Sequence, residues 1–220
     1  MAQILIFLGP PGAGKGTQAR VVARELGIPH ISTGDILRAA ASKKTSLGLA
    51  AKAKMDKGQL VPDDLMCPIV EDRLCQPDCK EGAILDGFPR TLAQAECLTA
   101  MLSRVGLDEP LVLNIHVEPE SVIKRLTGRR TCQTCGEIYN VYLNPPLRDG
   151  ICDQDGGQLV QRADDNEEAI RIRLQAYDHD TLPLIDYYQS KGHLRQVDGN
   201  EEPEAITAKL LSFVKTHDYL

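Results

Sequence analysis

Apolar and polar residues alternate in blocks along the chain, and the blocks come in two lengths. Short strand candidates lie at Ile4–Leu8, Ile28–Ser32, Ala83–Asp86, Leu111–Val117 and Leu194–Val197. All are too short for helices; Ile4–Leu8 is an apolar run and Ala83–Asp86 is apolar up to its final carboxylate, so these two predict buried strands. Longer stretches between them carry helical spacing. These are Thr17–Leu26, Thr33–Ala41, Leu47–Lys57 (ended by Gly58), Leu92–Val105, Ser121–Leu126 and Pro203–Val214. Pro62 opens a further helix with Leu65, Ile69 and Leu74 as its apolar stripe. One longer helix is expected from about Asn166 to Tyr188, kinked or divided at Pro183. Residues 129–161 break the pattern, with paired Cys, several Gly and Pro, and no helical period. Strands alternating with helices predict an α/β protein with a five-stranded parallel sheet flanked by helices. Ligands of such sheets bind beyond the carboxyl ends of the strands.

Composition narrows the picture. A chain of 220 residues, 42% hydrophobic, supports one sizeable core with small inserted segments. A net charge of -6 and only 4% aromatic residues argue against nucleic acid as a partner. No apolar run approaches the roughly 20 residues of a membrane span. The N-terminal run has no basic stretch before it and ends in glycines, which reads as a buried strand and not a signal peptide. A cytoplasmic chain with reduced thiols is expected.

The first chemical motif sits at the end of the first strand. Gly9-Pro-Pro-Gly12-Ala13-Gly14-Lys15 fits G-x-x-x-x-G-K, with a strand before it and a helix after. Its glycines let successive backbone N–H groups curl around an anion, the helix N-terminus adds partial positive charge, and Lys15 reaches the outer phosphates of a nucleotide. Gly16 follows Lys15, and the hydroxyl comes one residue later at Thr17, which leaves open whether that hydroxyl binds Mg2+ directly. Asp86 ends a buried strand and is a natural magnesium partner, directly or through water, though Asp-Gly also favours a plain turn. His30 lies among apolar residues and receives no chemical role. Thr33 alone would read as a helix N-cap.

Residues 132–156 carry a second motif. Cys132-Gln-Thr-Cys135-Gly136 and Cys152-Asp-Gln-Asp155-Gly156 share one form: ligand, two spacers, ligand, glycine. Thiolates and a carboxylate make a closed tetrahedral set for structural Zn2+, and each glycine permits the tight turn that aims two ligands at one ion. Iron and a metal-free loop remain the alternatives. Cys67, Cys75, Cys79 and Cys97 have no such pairing and read as packed thiols.

The run Gly9 to Gln18 resembles the phosphate loop of adenylate kinases and their nucleoside monophosphate kinase relatives. Asp86-Gly-Phe-Pro-Arg-Thr-Leu-Ala-Gln-Ala-Glu96 resembles the AMP-site signature of the same family, and Ser32-Thr-Gly-Asp-Ile-Leu-Arg38 is similar to another of its segments. The resemblance runs from residue 3 to about 200. It implies a P-loop NTPase fold with a core of residues 1–31, 62–128 and 166–220. It also implies a small helical AMP-binding insert at 32–61 and a zinc-bearing lid at 129–165. The implied reaction is reversible phosphoryl transfer from Mg-ATP to AMP, giving two ADP, in a monomer. The implied ATP site is Gly12, Ala13, Gly14, Lys15, Gly16 and Thr17, with Arg129, Ile138, Tyr139 and, through backbone, Glu201. The implied AMP site is Thr33, Arg38, Gln59, Leu60, Val61, Gly87, Phe88, Pro89, Arg90 and Gln94, with Arg90 on the phosphate and Gln94 reading the adenine edge. Arg125, Arg129, Arg162 and Arg173 match positions that contact phosphates, the last two shared with AMP. Asp164 and Asp165 match an acidic pair that tethers arginines at a hinge.

Such a cation set suits phosphoryl transfer, whose transition state spreads negative charge over several oxygens. The nucleophile would be an AMP phosphate oxygen, already ionised at neutral pH, so no general base is required. A GTP:AMP phosphotransferase or another monophosphate kinase is the nearest alternative. A zinc-ribbon nucleic-acid-binding protein and a slow nucleotide switch are the more distant ones.

Overall fold

The computed structural model describes residues 3–217. Five parallel strands form its centre: β1 (Gln3–Leu8), β2 (His30–Ser32), β3 (Gly82–Asp86), β4 (Leu111–His116) and, last in the chain, a strand at Leu194–Asp198. Their order across the sheet is His30–Ser32, Gly82–Asp86, Gln3–Leu8, Leu111–His116, Leu194–Asp198. The chain therefore leaves β1 toward one edge and later fills the other, so β1 stands at the switch point where ligands bind in open α/β sheets. Neighbouring residues of one strand enter different cores. Ile4, Ile6 and Leu8 pack on one face with Val112, and Leu5 and Phe7 pack on the other with Leu111, Leu113 and Ile115. Burial on both sides explains why β1 and β3 read as apolar runs, while the edge strands His30–Ser32 and Leu194–Asp198 are only partly buried and carry polar residues.

The first helix, α1 (Lys15–Leu26), begins two residues before the expected Thr17, because Lys15 itself takes helical geometry directly after the left-handed Gly14. Next come α2 (Thr33–Ser42) and α3 (Ser46–Met55), which cross closely at Gly48. The helices α4 (Asp63–Leu74) and α5 (Leu92–Val105) cover one face of the sheet. Thr91 caps α5, its side chain accepting from Gln94 N at 3.1 Å. Helix α6 (Pro119–Thr127) leads into a separate small sheet of antiparallel strands: β5 (Arg129–Cys132), β6 (Ile138–Asn140) and β7 (Leu159–Val160), with β5 in the middle. The sequence pattern offered no regular structure here. Strands of two to four residues are too short to show alternation.

One further expectation is met with an added turn, and one needs correction. The helix expected from Asn166 to Tyr188 is α7 (Glu167–Ala176), a π-helical turn at Tyr177–Thr181, and α8 (Pro183–Ser190). Pro183 lacks an N–H and opens a new helix, so it divides the stretch. The sheet then closes with β8 (Leu194–Asp198), and α9 (Pro203–His217) packs on α1. Cys75 is exposed, not packed, while Cys79 is buried. No helix among the described residues is long and apolar enough to cross a membrane.

Candidate active site

A cavity of about 810 Å³ opens at the carboxyl end of β1, between the small antiparallel sheet and the α2–α3 pair. Its floor is the Gly9–Lys15 loop. Gly9 has φ +137°, and a Cβ there would lie 2.3 Å from Ile115 O, so only glycine permits the loop to lie this close to β4. Lys15 Nζ donates to Gly9 O at 2.7 Å and Pro10 O at 2.8 Å, which hold the amine over the loop. Burial pushes Lys15 down to about 7, against the opposing pull of Asp86 and with the help of Arg90 and Arg173. A nearby anion would raise such a buried amine again. The step from the general motif to Gly16 has a local reason. A Cβ at Gly16 would meet Asp86 Oδ2 at 3.2 Å, so a side chain at this position would crowd the carboxylate.

Asp86 ends β3 beside this loop. Burial alone would raise its carboxyl, but the hydrogen bond from His30 and the charge of Lys15 outweigh that and hold it below the ordinary carboxylate value. His30 Nε2 lies 3.3 Å from Asp86 Oδ2, so the histidine set aside as core packing touches the site's carboxylate. Thr33 is likewise not a cap. Ser32 caps α2, accepting from Asp35 N at 3.2 Å, and this leaves the Thr33 hydroxyl to donate to Gly87 O at 2.9 Å. Arg90 Nε donates to the same carbonyl at 2.9 Å. The Arg90 backbone N–H donates to Gln94 Oε1 at 2.8 Å, and Gln94 is almost fully buried.

Cations line the rest of the wall. Arg129 forms a two-pronged pair with Asp165, at 2.5 and 2.8 Å, and Asp165 is wholly buried. Arg173 pairs with Asp164 Oδ2 at 2.8 Å. Arg162 donates to Thr131 Oγ1 at 3.1 Å, and Arg38 to Asp35 Oδ1 at 2.5 Å. Arg125 donates to Gly199 O at 2.9 Å. Burial, then repulsion from Arg129 and Arg38, lowers Arg162 to about 9; burial lowers Arg173 to about 10 and lowers Arg90 as well. Several guanidinium groups are thus desolvated near one another, an arrangement that clustered anionic oxygens relieve.

The antiparallel sheet carries the cysteine motif. One ligand atom from each of Cys132, Cys135, Cys152 and Asp155 lies within 4.8 Å of the other three. Cys135 Sγ and Cys152 Sγ are 3.7 Å apart, and Cys132 Sγ is 3.3 Å from Asp155 Oδ1. A tetrahedral ion with zinc–sulfur bonds of about 2.3 Å sets its sulfurs about 3.8 Å apart, so the donors fit a metal ion in both chemistry and spacing. Gly136 N donates to Cys132 O and Gly156 N to Cys152 O, the same tight turn made twice. The Tyr139 hydroxyl lies 3.6 Å from Cys152 Sγ, and Thr134 N donates toward Cys132 Sγ. The core of this sheet is only Cys132, Tyr139, Cys152 and Leu159.

The sequence model of the family described as adenylate kinase matches residues 7–193. The chain belongs to the adenylate kinase family. It is 55% identical over 202 residues to an adenylate kinase of Archaeoglobus fulgidus, covering 92% of this chain and 93% of that protein. It is 52% identical over 211 residues to one from Desulforamulus reducens, covering 96% and 99%. It is 50% identical over 204 residues to one from Bacillus subtilis, covering 93% and 94%. Among the residues expected to touch nucleotide, Phe88 alone stays out of the cavity wall; its side chain is packed in the core. The phosphate-loop residues, the arginines, Gln59 to Val61, Ile138, Tyr139 and Glu201 all line it. Glu201 also pairs with Lys209. Sequence reading missed Arg20. It lines the cavity from α1, donates to Gly136 O at 2.7 Å and stands 4.0 Å from Asp35, so it touches both the small sheet and α2. Its side chain meets a residue 116 positions away, and no local spacing signals that.

Proposed function

We propose that this chain transfers the terminal phosphoryl group of ATP to AMP, with the two nucleotides held in one cavity and their phosphates meeting at the arginines. The enzyme is an ATP:AMP phosphotransferase, a nucleoside monophosphate kinase of the adenylate kinase family. The glycine loop and Lys15 take the donor's phosphates, and Arg129 lies on the same side. Arg90 and Arg38 take the AMP phosphate, and Thr33, Gln59 to Val61 and Gln94 take its nucleoside. The single observation that carries this reading is the joining of the Lys15 loop and the Arg90–Gln94 loop in one cavity, with Asp86 between them.

Fixed cations would stabilise the charge that spreads over the transferring oxygens, and their cost of desolvation is already met in the fold. Asp86, kept ionised, and Thr17 are the groups that would hold magnesium arriving with ATP; the ion would supply further neutralisation of phosphate charge. Cys132, Cys135, Cys152 and Asp155 would hold structural zinc. It would keep the small sheet folded while that sheet acts as a lid over the ATP side. The lid is residues 129–165, the AMP-binding insert residues 32–61, and the remainder the core. One chain carries the whole cavity, which supports a monomer; light scattering at assay concentration tests that.

The test of the acceptor is a panel. With Mg-ATP and AMP, UMP, CMP or GMP, ADP should form far faster with AMP. Equal rates with UMP would remove the role given to Gln94, because the uracil edge presents N3–H and O4, the reverse of adenine N1 and its amino group.

A further inference from the structure

Gln94 can discriminate purines only if its amide faces one way, since its oxygen and nitrogen are nearly equal in shape and opposite in hydrogen bonding. Turned one way, the amide fits the 6-amino edge of adenine. Turned over, it fits the 6-oxo edge of hypoxanthine. Two partners meet the amide from behind. The Arg90 N–H lies 2.8 Å from Oε1 and can only donate. The Asp63 carboxylate has Oδ1 2.6 Å from Nε2 and, when ionised, can only accept. Asp63 is itself fixed, because its Oδ2 accepts from Thr91 Oγ1 at 3.0 Å, and Thr91 caps the helix that carries Gln94. Asp63 lies in the first turn of α4, behind Gln94 and outside the cavity wall.

We infer that Asp63 is a positioning residue for base selection: its carboxylate locks the Gln94 amide in the orientation that accepts a 6-aminopurine monophosphate and rejects a 6-oxopurine one. The inference rests on the reading of Gln94 as the base-contacting residue. With Asp63 and Arg90 satisfied, the amide keeps one N–H and one lone pair for the cavity, the complement of adenine N1 and its amino group. Removing the carboxylate leaves a buried N–H without a partner and weakens the barrier to the turned-over amide.

The experiment is steady-state kinetics with AMP and with IMP, each varied at saturating Mg-ATP, on Asp63→Leu, Asp63→Asn and Gln94→Leu. Asp63→Leu should raise KM for AMP about tenfold and narrow the preference for AMP over IMP about fivefold. Its kcat with AMP and its KM for ATP should stay within about twofold, a split that general damage to the fold would not produce. Asp63→Asn should recover most of the loss, because its amide oxygen still accepts from Nε2. Should Asp63→Leu not fold, Asp63→Ala is read in the same way. If Gln94→Leu loses AMP selectivity while Asp63→Leu keeps it, the inference is overturned and the base-reading assignment stands. If Gln94→Leu keeps it too, the assignment fails and takes the inference with it. An equal fall of kcat and of ATP affinity in Asp63→Leu would make Asp63 a fold residue only.

Discussion

Replacing Arg20 by methionine should loosen the lid without touching the phosphate loop. In the structure Arg20 joins α1 to the segment between β5 and β6 by one good hydrogen bond, Nη1 to Gly136 O at 2.7 Å. It also stands 3.9 Å from Glu137 and 4.0 Å from Asp35, with those carboxylate side chains 38% and 46% exposed. Ion pairs at that distance and exposure contribute little. The hydrogen bond from a cation to a carbonyl dominates, and partial exposure of the arginine keeps it near the lower end of the usual range, about 1–1.5 kcal/mol. Methionine keeps most of the apolar stem, so packing on α1 changes little. If ATP binding draws on lid docking, KM for ATP should rise about five- to twelvefold. KM for AMP should move less, since only the 4.0 Å pair with Asp35 is lost on that side. The assay is initial-rate kinetics with ATP varied at saturating AMP, repeated in added salt. Because the main contact is to a neutral carbonyl, the wild-type to variant ratio should survive about 0.5 M salt, where surface ion pairs are screened. An unchanged KM for ATP, or a ratio that vanishes in salt, would refute the reasoning.

Three other expectations follow from individual contacts. Elemental analysis should find about one zinc per chain, and Cys132→Ser should lose it, with a raised KM for ATP from a disordered lid; an equally ordered, metal-free wild type would overturn the zinc assignment. Gly48→Ala would place a Cβ 2.2 Å from Ala40 C in α2. Forcing the two helices apart should cost about 2 kcal/mol and lower Tm by about 4–8 °C, with thermal melts as the check. Lys15, pushed down to about 7 in the free enzyme, is lifted again by a bound polyphosphate, so binding should take up protons above that value. At pH 8 ATP binding should draw in about one proton, and at pH 6, where the amine is already charged, almost none. Calorimetry in two buffers of different ionisation heat measures this, and no uptake at pH 8 would contradict it.

The parts of this protein that depend on neighbours in sequence were legible from the chain alone. Strand burial on both faces leaves runs such as Ile4–Leu8, and a phosphate loop needs its glycines within seven residues, so both are written locally. The cysteine turns were legible for the same reason. What escaped depends on distant partners or on very short elements. The strands β5 to β7 are too brief to show a period, and the Tyr177–Thr181 turn hides inside an otherwise helical stretch. Phe88 sits within a segment expected to touch nucleotide, yet its own side chain turns into the core. His30 gave no sign of Asp86, 56 residues on, because pairing between β2 and β3 creates that contact. Asp63 and Gln94 are 31 residues apart on separate helices, and only the packing of those helices brings the carboxylate to the amide.

The proposed reaction needs one cavity to serve two nucleotides, donor at the Lys15 loop and acceptor at the Arg90 loop. A crystal structure with two adenosines joined through a polyphosphate chain measures that directly. One adenosine should lie against Gln94 and the other on the Glu201 side, with the chain of phosphates passing Lys15 and the arginines. An adenosine bound away from Arg90 and Gln94 would contradict it.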